Sequence, residues 1–91
     1  MKPSELLDSK EKWCQRASSR DPNGNTINPT DDKACSWCLF GAIYKCVPSQ
    51  EERYTIYNRL NNILPGGFVY WQDQEGRTFE EVRALLLEAG L

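Results

Sequence analysis

The chain has 91 residues with 11 basic and 13 acidic side chains, a formal charge of -2, which removes the electrostatic case for a nucleic acid or an anionic lipid surface as partner. That length supports one domain, residues 1–91, whose single core buries roughly two-thirds of the unfolded surface and leaves no room for separate catalytic and regulatory units. The longest apolar run, Cys38 to Tyr44, is far short of the ~20 residues of a membrane span, and MKPSELLDSKEK carries no apolar signal-peptide core, so a cytoplasmic protein is expected.

From Pro3 to Ala17, the residues Leu6, Leu7, Trp13, Cys14 and Ala17 fall on one side and Glu5, Asp8, Lys12 and Gln15 on the other, the pattern of an amphipathic helix with Pro3 in its first turn. The stretch from Ser18 to Pro29 holds Asp21-Pro22, Asn23-Gly24 and Asn28-Pro29. Each pair is a turn signal, so a long surface loop is expected over 18–29, either a connector or a working surface.

The next stretch, ACSWCLFGAIYKCV from Ala34 to Val47, is apolar on more than one face when wound as a helix, and a helix apolar nearly all round is surrounded by other elements. A buried central helix is therefore expected over about 30–47, with Asn28 or Thr30 capping its start and Asp31 and Asp32 in its first turn. Gly41 inside it costs ~1 kcal/mol against Ala in propensity. Close approach of another backbone or of a Trp ring would offset that cost.

Val47-Pro48 stops the helix, and Ser49 with Glu52 forms a capping-box pattern for another, about Gln50 to Leu64, with Tyr54, Tyr57, Leu60, Ile63 and Leu64 expected inward. After Pro65-Gly66-Gly67, residues 68–71 read as extended and 72–76 as a polar turn. Thr78 and Glu81 repeat the capping box for a last helix to about Ala89. The expected fold is all-α: a compact four-helix domain around the buried central helix, with the 18–29 loop and the short extended 68–71 segment.

Four cysteines, Cys14, Cys35, Cys38 and Cys46, and the absence of any His define the metal question. An all-thiolate zinc site is the available chemistry, but Cys35 and Cys46 on one continuous helix would lie roughly 16 Å apart and could not share an ion. The cysteines read instead as small buried hydrophobes, with no cofactor and no metal expected. A cysteine nucleophile at Cys38 lacks the usual His base and would sit in an apolar face that raises its pKa. Asp73 and Glu81 with Arg77 as an anion clamp form the remaining enzyme-like cluster. The bland reading is that Thr78 and Glu81 cap a helix while Arg77 and Asp73 close a turn. Arg20, Asp21 and Asn23 of the loop, with Trp71, Asp73 and Arg77 of the later turn, form a candidate interaction surface, since Trp and Arg are enriched in binding hot spots.

The chain carries four short blocks: Trp13-Cys14, Arg20-Asp21-x-x-Gly24, Ala34-x-x-Trp37-Cys38-Leu39-x-Gly41-Ala42, and Trp71-x-Asp73-x-x-Gly76-Arg77-Thr78-x-x-Glu81-Val82. With them the chain resembles an uncharacterised family of small bacterial and phage-associated domains of unknown function. The resemblance covers nearly the whole chain and implies its boundaries but no substrate. It also implies Asn between Trp71 and Asp73, where this chain carries Gln72.

Lacking metal-ligand spacing, a phosphate-cradling Gly-rich loop, a His and a basic stripe, the chain reads as a non-enzymatic protein-interaction module, a small phage or mobile-element factor binding a host protein. The competing class is a small-molecule binding or hydrolytic domain using Asp73, Arg77 and Glu81; a cysteine-liganded zinc protein is a further alternative. Convergence of Asp73, Arg77 and Glu81 on one concave pocket would separate the first two.

Overall fold

The computed structural model describes every residue from Met1 to Leu91. Five α-helices, one 3-10 turn and two short strands follow one another: α1 Pro3–Leu6, the 3-10 turn Lys10–Lys12, β1 Ser19–Arg20, β2 Ser36–Trp37, α2 Leu39–Cys46, α3 Gln50–Ile63, α4 Phe68–Asp73 and α5 Phe79–Glu88. The fold is thus mixed α/β, dominated by helix, and the all-α expectation is corrected. The core gathers Leu6 and Leu7, Trp37, Leu39, Ala42 and Ile43, Leu60, Phe68, Val82, Leu86 and Leu91. The chain ends meet there, with Ser4 donating from N–H and Oγ to the Leu91 carbonyl at 3.1 and 3.0 Å.

The expected helix over 3–17 stops after one turn because Leu7 leaves helical geometry and Ser9 is extended. Trp13 then runs beside Trp37 in a parallel bridge. Arg16, with φ of 65°, takes the left-handed conformation that a side chain disfavours.

The 18–29 stretch is a small hairpin rather than an unstructured loop. Arg20 bridges Thr26, the Ile27 amide donates to the Ser19 carbonyl at 3.1 Å, and the Ser19 hydroxyl donates to the Ile27 carbonyl. On the other side β1 pairs antiparallel with β2, in the register Ser19 to Trp37 and Arg20 to Ser36.

This pairing is why the central helix is half its expected length. Asn28 and Asp31, which read as helix-starting residues, instead accept from the amides two positions on, Asn28 from Thr30 at 2.9 Å and Asp31 from Lys33 at 2.8 Å. Such Asx turns offer the backbone an alternative to helix. The amides of Cys35 and Cys38 then donate to the carbonyls of Arg20 and Ser18, so α2 begins only at Leu39. Its cap is Cys38, whose sulfur accepts from the Gly41 amide at 3.4 Å. The Gly41 expectation holds, because a Cβ there would lie 1.8 Å from the Ser18 carbonyl oxygen.

The 68–71 segment is helical, not extended. Gly66 and Gly67, at φ of 79° and 92°, turn the chain back after α3, and Asn61 Oδ1 accepts from the Phe68 amide at 2.9 Å. The capping group of α4 is thus supplied by a neighbouring helix. Thr78 and Glu81 make the expected reciprocal box, whereas at the start of α3 the box is only half formed: Ser49 Oγ accepts the Glu52 amide at 3.3 Å, and the Glu52 side chain makes no return bond. Of the α3 residues expected inward, Leu60 alone is fully buried, while Tyr54 and Ile63 face solvent. No helix is long and apolar enough to cross a membrane.

Candidate functional site

Asp73, Arg77 and Glu81 do not converge on a cavity. Arg77 lies over the Trp71 ring, 4.0 Å from its centroid, and donates from Nε to the Trp71 carbonyl at 2.9 Å, from Nη1 to Glu81 Oε2 at 2.9 Å and from Nη2 to Gln74 Oε1 at 2.6 Å. The other Glu81 oxygen accepts the Thr78 amide and hydroxyl at 2.9 and 3.1 Å. Those Thr78 bonds, with the nearby Arg77 charge, hold the Glu81 carboxyl below the usual carboxylate range. Asp73 faces elsewhere, with Oδ1 accepting from the strained Arg16 amide at 2.9 Å and from Gln72 Nε2 at 2.7 Å. It lines a shallow concavity of about 330 Å³ with Arg16, Cys38, Phe40 and Val69, where neither Arg77 nor Glu81 reaches. All three groups are engaged in closing the turn, seating the Arg16 backbone and capping α5.

The hairpin residues are similarly occupied with their own backbone. Asp21 Oδ1 accepts the amides of Asn23 and Asn25, both at 2.9 Å, and Arg20 donates to the carbonyls of Gly24 at 2.9 Å and Gln15 at 3.1 Å. The hairpin and the Trp71–Arg77 turn are joined through Gln15, whose Nε2 donates to the carbonyls of Gln72 at 2.9 Å and Gln74 at 3.1 Å. Arg20 and Arg77 thus belong to one connected polar network, while Asn23 stands exposed at the hairpin tip. Its connecting carboxamide, Gln15, was read from the sequence only as part of a polar helix face.

The thiols do not form a centre. Cys35 is exposed, Cys38 buried, Cys14 and Cys46 intermediate, and all are free. Because Cys35 lies outside α2, a continuous helix no longer sets its distance from Cys46. No three His, Cys, Asp or Glu side chains gather where they could hold one ion. Burial pushes Cys38 up to about 11, against a smaller opposing effect of the Gly41 amide.

The surface that sequence reasoning missed lies between α2, α3 and α4. Tyr44, Phe40, Tyr57 and Phe68 stack in a ladder, with successive centroids at 6.2, 5.1 and 5.4 Å and interplanar angles of 25°, 16° and 13°. Tyr54 stands edge-on to Tyr57 at 87°. Two concavities, of about 450 and 390 Å³, open along the ladder and share Phe40, Tyr54 and Tyr57 as walls. Their rim carries Tyr54, Val69 and Tyr70, which are 57%, 43% and 62% exposed. The Tyr57 hydroxyl is buried with no hydrogen-bond partner, and burial raises its pKa. The available signal was Tyr54, Tyr57, Asn58 and Asn61 at helical spacing; a mixed aromatic and carboxamide stripe is a poor core face.

No curated protein and no solved structure matches the chain. A family of unknown function, DUF6197, matches residues 4–90, a span that takes in the hairpin, the aromatic groove and the Trp71–Arg77 turn together. The chain is therefore a member of the DUF6197 family.

Proposed function

We propose that this domain is a non-enzymatic protein-interaction module of the cytoplasm, a small phage or mobile-element factor that binds a host protein. One observation carries the reading: Tyr54, Val69 and Tyr70, large side chains exposed at the rim of one aromatic groove, form the kind of clustered apolar surface that marks a binding site. The hairpin tip at Asn23 and the edge of the Trp71–Arg77 turn lie outside this groove and serve as a secondary contact. The hydrolytic alternative draws no comparable support, because Asp73, Arg77 and Glu81 spend their hydrogen bonds on local structure.

A photo-crosslinking phenylalanine analogue placed at position 70 tests the reading in the native host cell, with the same analogue at exposed Glu80 as control. A discrete protein adduct from position 70 and none from position 80 is expected. Equal labelling from both positions, or no adduct from position 70, overturns the groove as the working surface.

A further inference from the structure

We propose that Cys14 and Cys38 form a redox-sensitive latch, two thiols that close to a disulfide when the surroundings turn oxidising and open again when reduced. No three thiols gather, but the backbone sets these two side by side. The parallel bridge joins Trp13 to Trp37, and the Cys14 amide donates to the Trp37 carbonyl at 3.1 Å. Each of these Trp residues is followed by a cysteine, so Cys14 and Cys38 occupy the next pair of positions and, by strand alternation, the same face. Adjacent strands run about 4.8 Å apart, within the roughly 4.4–6.8 Å between Cα atoms that a disulfide spans. The Cys14 side chain bonds that of Ser36, which shares the Cys38 face, and a charge on Cys14 acts on Cys38. Cys35 precedes Ser36 and falls on the opposite face.

The latch sits where the two segments part. One step further on, the Cys14 carbonyl accepts from Gln72 Nε2 at 3.1 Å and the Leu39 amide donates to Gln72 Oε1 at 3.2 Å, so a carboxamide stands where the next ladder bond would be. A covalent link at this fork ties the segment before β1 to the start of α2 and closes a ring of chain around the hairpin. Such a ring restricts the unfolded chain, so the oxidised form is the more stable one. The oxidant is a low-molecular-weight disulfide of the glutathione type. Cys14, the more exposed of the two, loses its proton and attacks one sulfur of that disulfide, expelling a first glutathione thiolate. Buried Cys38, deprotonated in turn, attacks the Cys14 sulfur of the mixed disulfide and expels a second. Two protein thiols are oxidised, one glutathione disulfide is reduced, and the two expelled thiolates take up the two protons. Excess reduced glutathione runs the exchange backwards, which keeps the thiols free in a reducing compartment, as they are here.

The test is exposure of the folded full chain to millimolar glutathione disulfide at mildly alkaline pH, followed by intact mass and unreduced peptide mapping. A crosslinked monomer two hydrogens lighter than the reduced chain is expected. It should form in the unmodified protein and in Cys35→Ser alike, and be absent from Cys38→Ser, whose new hydroxyl can still cap α2. Cys14→Ser should behave as Cys38→Ser does, so the assignment does not hang on one variant folding. The Tm of the crosslinked form should exceed that of the reduced chain by about 5 °C or more and fall back on adding dithiothreitol. A chain that gains glutathione and never crosslinks, or a crosslink that persists in Cys38→Ser, overturns the proposal. A crosslink between Cys14 and Cys38 that leaves the Tm unchanged or lowers it overturns the latch as well.

Discussion

The indole N–H of Trp13 donates to Gln72 Oε1 at 2.6 Å, joining positions 59 residues apart. The same fully buried carboxamide accepts the Leu39 amide at 3.2 Å and donates to the Cys14 carbonyl at 3.1 Å and to Asp73 Oδ1 at 2.7 Å. One side chain of α4 thus ties the segment before β1 to the first residue of α2. With oxygen and nitrogen each engaged twice, this is a satisfied buried polar group, the condition under which such groups add specificity rather than cost.

Replacing Gln72 should therefore be among the most damaging single changes outside the apolar core. Gln72→Leu keeps the volume but strands the Trp13 indole, the Leu39 amide and the Cys14 carbonyl, at about 1–3 kcal/mol for each group left unpaired. Partial relaxation and water entry bring the expected loss to about 3–5 kcal/mol, a large share of the ~5–15 kcal/mol available to a domain of this kind. Gln72→Asn retains the amide one methylene short and should lose less, about 1–3 kcal/mol. Urea unfolding followed by Trp fluorescence measures both. Equal stability of Gln72→Leu and the unmodified chain would show that the network contributes nothing.

Elements specified by neighbours in sequence were legible: α3 and α5 start where Ser49 and Thr78 cap them, because the capping partner is three residues away. Elements specified across the chain were not. The apolar run around Trp37 and Cys38 suits a strand and a helix equally well, and the choice is made by the Ser18–Arg20 backbone, which draws Ser36–Trp37 into a sheet. Residues 68–71 became helical because Asn61 of α3 supplies the cap. The candidate surface suffered the same blindness: sequence proximity suggested that Arg77 and Asp73 close a turn together, but Arg77 bonds Gln74 and Glu81 while Asp73 bonds Arg16 and Gln72. Tyr54 read as inward by helical period, yet no element packs over its outer side and it lines the groove.

Gly41→Ala separates propensity from packing by the sign of its effect. In an open helix the substitution would gain ~1 kcal/mol. Here the new Cβ would overlap the Ser18 carbonyl oxygen, a backbone atom that also accepts the Cys38 amide. Moving it disturbs the start of α2 and the sheet together, so a net loss of about 2–4 kcal/mol is expected. A melting temperature equal to or above that of the unmodified chain would show that the contact yields freely.

The cysteines should differ widely in reactivity. Burial pushes the Cys38 thiol up to about 11 and raises Cys14 and Cys46, whereas Cys35 is exposed. At pH 8 only roughly one Cys38 thiol in a thousand is the reactive thiolate, and reagent must also reach it. Iodoacetamide under native conditions should modify Cys35 first, and faster than Cys38 by about a hundredfold or more. Peptide mapping by mass spectrometry over a time course reads this directly. Simultaneous modification of Cys35 and Cys38 would mean that the α2 start opens readily.

The start of α5 should weaken in acid. The Thr78 amide and hydroxyl bonds, and then Arg77, hold the folded Glu81 carboxyl below its ordinary 4.5. As pH falls through that region the unfolded chain takes up the proton first, so the stabilisation is present above the ordinary value and is lost as pH falls through the folded one. Glu81→Ala should accordingly melt below the unmodified chain at neutral pH, with the gap closing as the pH falls below the ordinary carboxylate range and through the folded value. Salt distinguishes the two causes. The exposed Arg77 ion pair is screened by added salt, while the Thr78 bonds act at contact within the helix turn and are screened much less. Most of the neutral-pH gap should therefore survive in 1 M NaCl, and its disappearance there would assign the effect to the ion pair instead of the capping box.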